Sequence, residues 1–283
     1  MPDVYKQLGL GTAGISSMKT YGAVMRLLNT ALEKGITHFD TAPLYGQGYA
    51  EKMLGDFIRG KRDKVTITTK VGLGSPGSMA VPAFLALPLN YYRKALKKSS
   101  APAIAPAATS VSVAQPSLLQ RSISLEQVKQ GFYGSLQRLR VDYIDYYFLH
   151  EALPGFLEAA AQDFLLTQKE KGRIKYLGVA TGSSNILPLT VEELQHWDVL
   201  QYEAGPGAQQ LSTKFPGKKH FLHSCLKNLT NTSLPAEIAK DAAGGYQLAT
   251  CAANYHHDKL LFATRRIQVL KQNLDSFSRY MQQ

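Results

Sequence analysis

Short strand-like runs alternate with amphipathic helical stretches along nearly the whole chain, and this alternation leaves few folds open. Gly35–Asp40 (GITHFD), Lys64–Lys70 (KVTITTK), Tyr143–His150 (YIDYYFLH), Ile174–Ala180 (IKYLGVA), Val199–Glu203 and Lys259–Ala263 are brief and rich in β-branched or aromatic residues. Before the first of these, Tyr21–Lys34 repeats Val24, Leu27, Leu28 and Ala31 at helical spacing. Tyr49–Arg59 turns Met53, Phe57 and Ile58 to one side, and Leu125–Leu139 carries the stripe Val128, Phe132, Leu136 and Leu139. Phe156–Lys171 reads as a helix stopped by Gly172, the residue that most easily adopts the left-handed C-terminal turn. Val191–His196, Pro235–Ala242 and Arg266–Arg279 read as further helices.

A strand followed by a helix, many times over, predicts a largely parallel sheet. Counting Lys219–Leu226 and the short apolar segment Tyr246–Ala253 as strands brings the number to eight, which suits a closed (β/α)8 TIM barrel. The length of 283 residues fits one such domain, taken here as residues 1–283. A doubly wound dinucleotide fold is disfavoured, because Leu8-Gly-Leu-Gly-Thr12 lacks the strand-to-helix setting of a phosphate-binding glycine turn. One stretch departs from the pattern. Residues 71–124, between the strands counted second and third, are rich in Gly, Pro, Ala and Ser, and read as a long insertion over the barrel mouth.

Composition removes several function classes. The net charge of +11 is spread over small groups such as Arg59–Lys64, Arg93–Lys98 and Lys169–Lys175, without the aromatic interleaving of an RNA-binding sheet. Nucleic acid is therefore not expected as a partner. Neither a signal-like start nor a membrane-length apolar run occurs, so a cytoplasmic protein without a membrane partner is expected. The acceptor-like Asn228 and Asn231 are then chance matches, and Cys225 and Cys251 are expected to be reduced core thiols. A monomer or weak homo-oligomer is expected.

In a β/α barrel the chemistry collects at the C-terminal ends of the strands. Asp40, Lys70 and His150 close successive strands, and Tyr45 follows the first of them. Each alone has a structural explanation as a cap, a packed ring or a surface charge. Together they suit proton transfer to a carbonyl. A tyrosine hydroxyl, with an ordinary pKa of about 10, needs a nearby cation such as Lys70 to favour its ionised form. Asp40 would keep that lysine charged, and His150 would hydrogen-bond the carbonyl oxygen or help the proton reach Tyr45.

Ile36-Thr-His-Phe-Asp-Thr-Ala42, Tyr45-Gly46 and Glu51 with Leu54-Gly55 resemble the N-terminal signature of the aldo-keto reductases. Tyr143–His150, Leu177-Gly-Val-Ala180, Phe262-Ala-Thr-Arg265 and Leu270-Lys-Gln-Asn273 resemble later segments of that family. The resemblance implies a barrel that moves hydride between NADPH, or alternatively NADH, and a small-molecule aldehyde, ketone or alcohol. It implies a catalytic tetrad of Asp40, Tyr45, Lys70 and His150, with Tyr45 as general acid. It further implies a cofactor groove containing Gly11, Thr12, Asp40, Thr181, Gln201, Thr264, Arg265, Arg266, Gln272 and Asn273. Thr181 and Gln201 would hold the nicotinamide amide, Thr264 a ribose or phosphate, and Asn273 with Gln272 the adenine.

Departures from the family pattern are specific. Ala180-Thr181 stands where the family has Ser-Asn, and Val269 stands where an arginine often grips the 2′-phosphate. Arg265 and Arg266, at a helix start, are the expected substitutes. Pro82, Phe84, Leu85, Leu87, Tyr91 and Tyr92 of the insertion, beside Tyr21 and Tyr49, are expected to wall an apolar pocket for a bulky carbonyl. Two other readings stay open: a cofactor-impaired barrel acting as a regulatory or binding subunit, and a metal-dependent hydrolase or isomerase. The latter would draw on His38, His150, His220, His223, His256 and His257 with Asp40 and Glu203, but Lys70 would compete with a cation beside Asp40. No metal is expected.

Overall fold

The computed structural model describes residues 3–73, 122–227, 234–235 and 237–282. Eight strands close into an all-parallel barrel in chain order: β1 Leu8–Gly11, β2 His38–Asp40, β3 Thr66–Val71, β4 Ile144–His150, β5 Ile174–Ala180, β6 Val199–Glu203, β7 Lys219–His223 and β8 Lys259–Phe262. The described helices are α1 Tyr21–Glu33, α2 Tyr49–Ile58, α3 Leu125–Leu139, α4 Ala159–Glu170, α5 Ser183–Ile186, α6 Pro206–Lys214, α7 Ala243–Asn254 and α8 Ile267–Tyr280.

The expected barrel is the observed one, with its strands counted differently. Leu8-Gly-Leu-Gly11 is the first strand, paired with β2 and β8. The segment Tyr246–Ala253, counted as a strand from its apolar residues, belongs to α7. Four residues with two glycines carry no strand signal of their own; β1 exists because its neighbours complete its hydrogen bonds. The insertion accordingly follows β3 rather than the second strand, and all of it but its two ends lies outside the described residues. Val191–His196 forms turns instead of a helix, as do the described residues of Pro235–Ala242. At the near end of the insertion, Ser124 caps α3 by accepting from the Gln127 amide while Gln127 reaches back to the Ser124 amide.

Alternation along the strands sorts side chains into two populations. Phe39, Tyr147, Leu149, Val179, Leu200 and Leu222 join the core between sheet and helices. Phe148, Ala180, Val199 and Phe221, with Tyr146 against them, form a separate cluster inside the barrel. His38 meets the Tyr146 and Phe221 rings edge-on at 5.5 and 5.2 Å. This aromatic plug closes the barrel and floors the layer above it.

The glycines Gly244 and Gly245, unexpected in a helix, are explained by how closely α7 approaches α8. A Cβ at Gly245 would fall 2.5 Å from both the Asn273 carbonyl oxygen and the Phe277 nitrogen, where neighbouring backbone has nowhere to go. Gly245→Ala gains up to ~1 kcal/mol of helix propensity but forces the two helices apart, an overpacking cost of ~1–3 kcal/mol. Net destabilisation in urea unfolding is the expected result; a more stable variant would mean that the helices separate freely.

Candidate active site

The next inward residues above the aromatic plug are Asp40 on β2, Lys70 on β3, His150 on β4, Gln201 on β6 and His223 on β7, with Ala180 on β5 packed against the plug and reaching this level. They line a cavity of about 760 Å³ at the C-terminal end of the barrel, together with Gly11 and Tyr45. Lys70 and Asp40 are 2% and 4% exposed, so their charges have lost most of their water. They compensate each other: Lys70 Nζ donates to Asp40 Oδ1 at 2.7 Å and to the Thr41 carbonyl at 2.9 Å. Burial pulls the Lys70 pKa down, but Asp40 and Tyr45 outweigh it and the net shift is upward. Lys70 stays charged.

Tyr45 sits in the turn between β2 and α2. Gly46 there has φ +62°, and a side chain at this position would collide with Ser16 at 2.3 Å. Tyr45-Gly46 is thus a pair for a geometric reason: the glycine lets the loop fold down so that the tyrosine overhangs the lysine. Lys70 Nζ lies 5.1 Å from the Tyr45 ring centroid, and the His150 ring stands perpendicular to Tyr45 at 6.2 Å. The expectation that Lys70 lowers the Tyr45 pKa is corrected by the balance of effects. Burial raises it most; Lys70 opposes, Asp40 adds to the rise, and the phenol ends above its ordinary value. In this site Tyr45 holds its proton.

His150 is driven down to about 3, first by burial and then by the Lys70 and His223 charges. It is a neutral hydrogen-bonding group. His38, His220, His223 and His257 are also lowered, chiefly by burial. An imidazole in the unfolded chain takes up a proton near pH 6.5. Below that value the unfolded state therefore binds more protons than the folded one, and stability falls as pH drops from 6.5 towards 3. Glu151, raised by burial, works in the opposite sense, but as one carboxyl against five imidazoles. Urea unfolding at pH 7.5 and pH 5 is expected to give the lower stability at pH 5; equal values would contradict neutral burial of these rings.

The other residues anticipated from the sequence divide into three groups. Gln201 lines the cavity: its Nε2 donates to Asp40 Oδ2 at 2.9 Å, while its buried Oε1 has no hydrogen-bond partner among the described residues. Thr12 and Thr181 are buried beside the cavity rather than lining it. Thr12 Oγ1 donates to the Asp40 carbonyl at 2.9 Å; Thr181 Oγ1 donates to Glu151 at 2.8 Å and accepts from Asn185 Nδ2 at 2.9 Å. Thr264, Arg265 and Arg266 gather at the start of α8, whose N-cap residue, Arg266, makes no side-chain capping bond, and Arg265 Nη1 donates to Ser17 Oγ at 3.2 Å. Gln272 is half-buried one turn further along α8.

Three placements differ from expectation. Asn273 is 4% exposed and packed under Gly244, where a Cβ would lie 2.2 Å from its Oδ1, so α7 covers the residue assigned to adenine. Tyr21 hydrogen-bonds Asp56 on the outer helices. Tyr49 is buried at the start of α2. Neither tyrosine lines the cavity; helical spacing near a strand end does not tell which way an aromatic faces. Pro82, Phe84, Leu85, Leu87, Tyr91 and Tyr92, together with Asn228 and Asn231, lie outside the described residues.

Sequence reasoning overlooked Glu151 and Asn185, and took Glu203 and His223 only as metal ligands. All four line the cavity. Glu151 follows His150 with φ +50°, uncommon for a residue with a side chain. Glu203 accepts from the Ser183 amide at 3.0 Å and its hydroxyl at 2.6 Å. Strand alternation from Gln201 would have found Glu203; nothing local marks Glu151 or Asn185. Among the described residues, no group of three or more His, Cys, Asp or Glu side chains is disposed to hold a metal ion, and no helix is long and apolar enough to cross a membrane.

A closed parallel barrel with a buried Lys–Asp pair beneath a tyrosine, at the strand ends, defines a class of barrel with a polar, ligand-sized mouth. The model of the aldo/keto reductase family matches residues 7–201, and the chain belongs to that family. Among its relatives, pyridoxal 4-dehydrogenase of Microbacterium luteolum is 44% identical over 70 residues, 23% of this chain and 20% of that protein. The aldo-keto reductase YhdN of Bacillus subtilis (strain 168) is 27% identical over 183 residues, covering 62% and 44% of the two chains. The matched stretches thus span less than half of either relative. An aldo-keto reductase from Klebsiella pneumoniae, solved in complex with NADPH, has the same fold with a TM-score of 0.60 at 17% identity, over 96% of this chain and 85% of that one.

Proposed function

We propose that this protein is an NADP(H)-dependent oxidoreductase that interconverts a small-molecule carbonyl and its alcohol. The observation that carries the reading is the desolvated Lys70–Asp40 pair beneath a protonated Tyr45, with neutral His150 alongside in one cavity. A phenol that keeps its proton is the form needed to give one to a carbonyl oxygen, so Tyr45 is the general acid in reduction. Lys70, held charged by Asp40, stabilises the phenolate left behind. His150 and Tyr45 fix the carbonyl oxygen between them. In the reverse direction the same tyrosine oxygen removes the alcohol proton.

The residues fit a nicotinamide cofactor at one end better than at the other. The partnerless Gln201 Oε1 suits a carboxamide N–H donor, and Asn185 supplies a second amide near the Thr181 position. The start of α8, where the Arg266 N–H already donates to Thr264 Oγ1 at 3.2 Å, offers the helix dipole and the positive charge of Arg265 and Arg266 for a phosphate, which favours NADPH over NADH. The solved NADPH complex of the Klebsiella pneumoniae relative supports the same choice. Asn273 is packed under Gly244, and its buried Nδ2 has no hydrogen-bond partner among the described residues. A bound nicotinamide would supply the two-electron reducing power.

Because the nicotinamide end of the groove is better supplied with partners than the adenine end, cofactor titration is the decisive experiment. Calorimetric titration with NADPH and NADH is expected to give saturable, micromolar binding (about −8 kcal/mol), tighter for NADPH. Absence of saturable binding of both would overturn the oxidoreductase reading and favour the cofactor-impaired regulatory subunit.

A further inference from the structure

The chain has two cysteines, and the fold sets them against each other. Cys225 lies in the turn after β7, next to Ser224 with φ +60°; Cys251 lies in the last turn of α7. Cys251 Sγ donates to the Cys225 carbonyl at 3.9 Å and Cys225 Sγ donates to the Leu222 carbonyl at 3.8 Å, which brings the two side chains within reach of each other. Both line a small cavity of about 50 Å³ with Ser224, Gln247 and Thr250, and Cys225 also lines the large cavity at the barrel mouth. At 2% and 4% exposure neither meets bulk solvent directly, so reagents reach them through these cavities. The smaller one exceeds the space a water molecule needs, about 10–15 Å³, and hydrogen peroxide is little larger than water.

We propose that Cys225 and Cys251 form an oxidative modification site, at which a peroxide joins them in a reversible intramolecular disulfide. One of the two sulfurs attacks a peroxide oxygen; the O–O bond breaks, hydroxide leaves and takes up a proton as water, and that cysteine becomes a sulfenic acid. The other cysteine's sulfur then attacks the oxidised sulfur, forming the S–S bond as the S–O bond breaks, and a second water departs with the remaining thiol proton. Two sulfurs lose one electron each and the peroxide gains both. A small-molecule thiol reverses the reaction by exchange.

The geometry is reciprocal: whichever thiol ionises first has the other beside it, so either sulfur can act as the thiolate nucleophile and the other resolves. Bringing the sulfurs to the ~2.05 Å of a disulfide draws Cys225 towards α7. The bond therefore ties that helix to the β7 turn at the edge of the large cavity.

The experiment exposes the full-length folded protein to a small excess of hydrogen peroxide. Titratable thiols should fall from two per chain to none, with the intact mass lower by two hydrogens, a monomeric band on a non-reducing gel, and full recovery with dithiothreitol. In at least one of Cys225→Ser and Cys251→Ser, dimedone should trap a sulfenic acid on the remaining cysteine. Two thiols surviving in the folded wild type, a disulfide between two chains, or no sulfenic acid in either folded variant would each overturn the proposal. The wild-type mass and thiol count decide it even where a variant does not fold.

Discussion

Replacing Tyr45 by Phe is expected to lower kcat/KM for carbonyl reduction by ~10²–10⁴-fold, the range for loss of a positioned general acid. The change removes one hydroxyl and its hydrogen bond with Lys70 but keeps the ring, so the ring contacts to Lys70 at 5.1 Å and His150 at 6.2 Å persist. Cofactor affinity should therefore stay close to that of the parent, and urea stability should fall by no more than ~3 kcal/mol, the worth of one hydrogen bond to a charged group. The pH profile gives a second reading. Burial raises the Tyr45 pKa in spite of Lys70, so reduction should not decline between pH 6 and pH 9 through ionisation of this group. His150, at about 3, should add no acid limb above pH 5. A variant that keeps more than a tenth of the parent rate would remove Tyr45 from the chemistry and point to water as the proton source.

How far the sequence reveals this site depends on how each residue is held there. Asp40, Lys70 and His150 end strands whose period is strict, so recognising the strands is enough to put three side chains in one layer. Gln201 follows by the same rule on β6. The rule fails for residues whose position comes from packing between distant elements. Asn273 lies under Gly244 because α7 and α8 pack at backbone contact, and no spacing within either segment reports that. Tyr21 faces outward because Asp56 of α2 is there to meet it. Leu8–Gly11 was hidden as a strand for a related reason: its hydrogen bonds come from β2 and β8, the latter some 250 residues away in the chain. Direction of charge was also misjudged in one case. The proximity of Lys70 to Tyr45 was legible, but the burial that outweighs it belongs to the folded loop.

The same desolvation makes Lys70 the position where substitution should cost most in stability. Lys70→Met keeps the length and bulk of the side chain, so no cavity opens, but it leaves the Asp40 carboxylate 4% exposed with Gln201 Nε2 as its remaining side-chain donor. Removing one partner of a buried pair costs ~3–5 kcal/mol, because the survivor stays desolvated and uncompensated. Asp40→Asn should be costly in the same way, stranding an ammonium. The double variant Asp40→Asn with Lys70→Met buries no charge, and neutral replacements of buried pairs are often tolerated. It should therefore be more stable than either single variant, while remaining inactive because nothing stabilises a Tyr45 phenolate. Urea unfolding of the four proteins measures the coupling directly. If the double variant instead loses the sum of the two single effects, the pair is not coupled in the folded protein, and the electrostatic basis for charged Lys70 beneath Tyr45 fails with it.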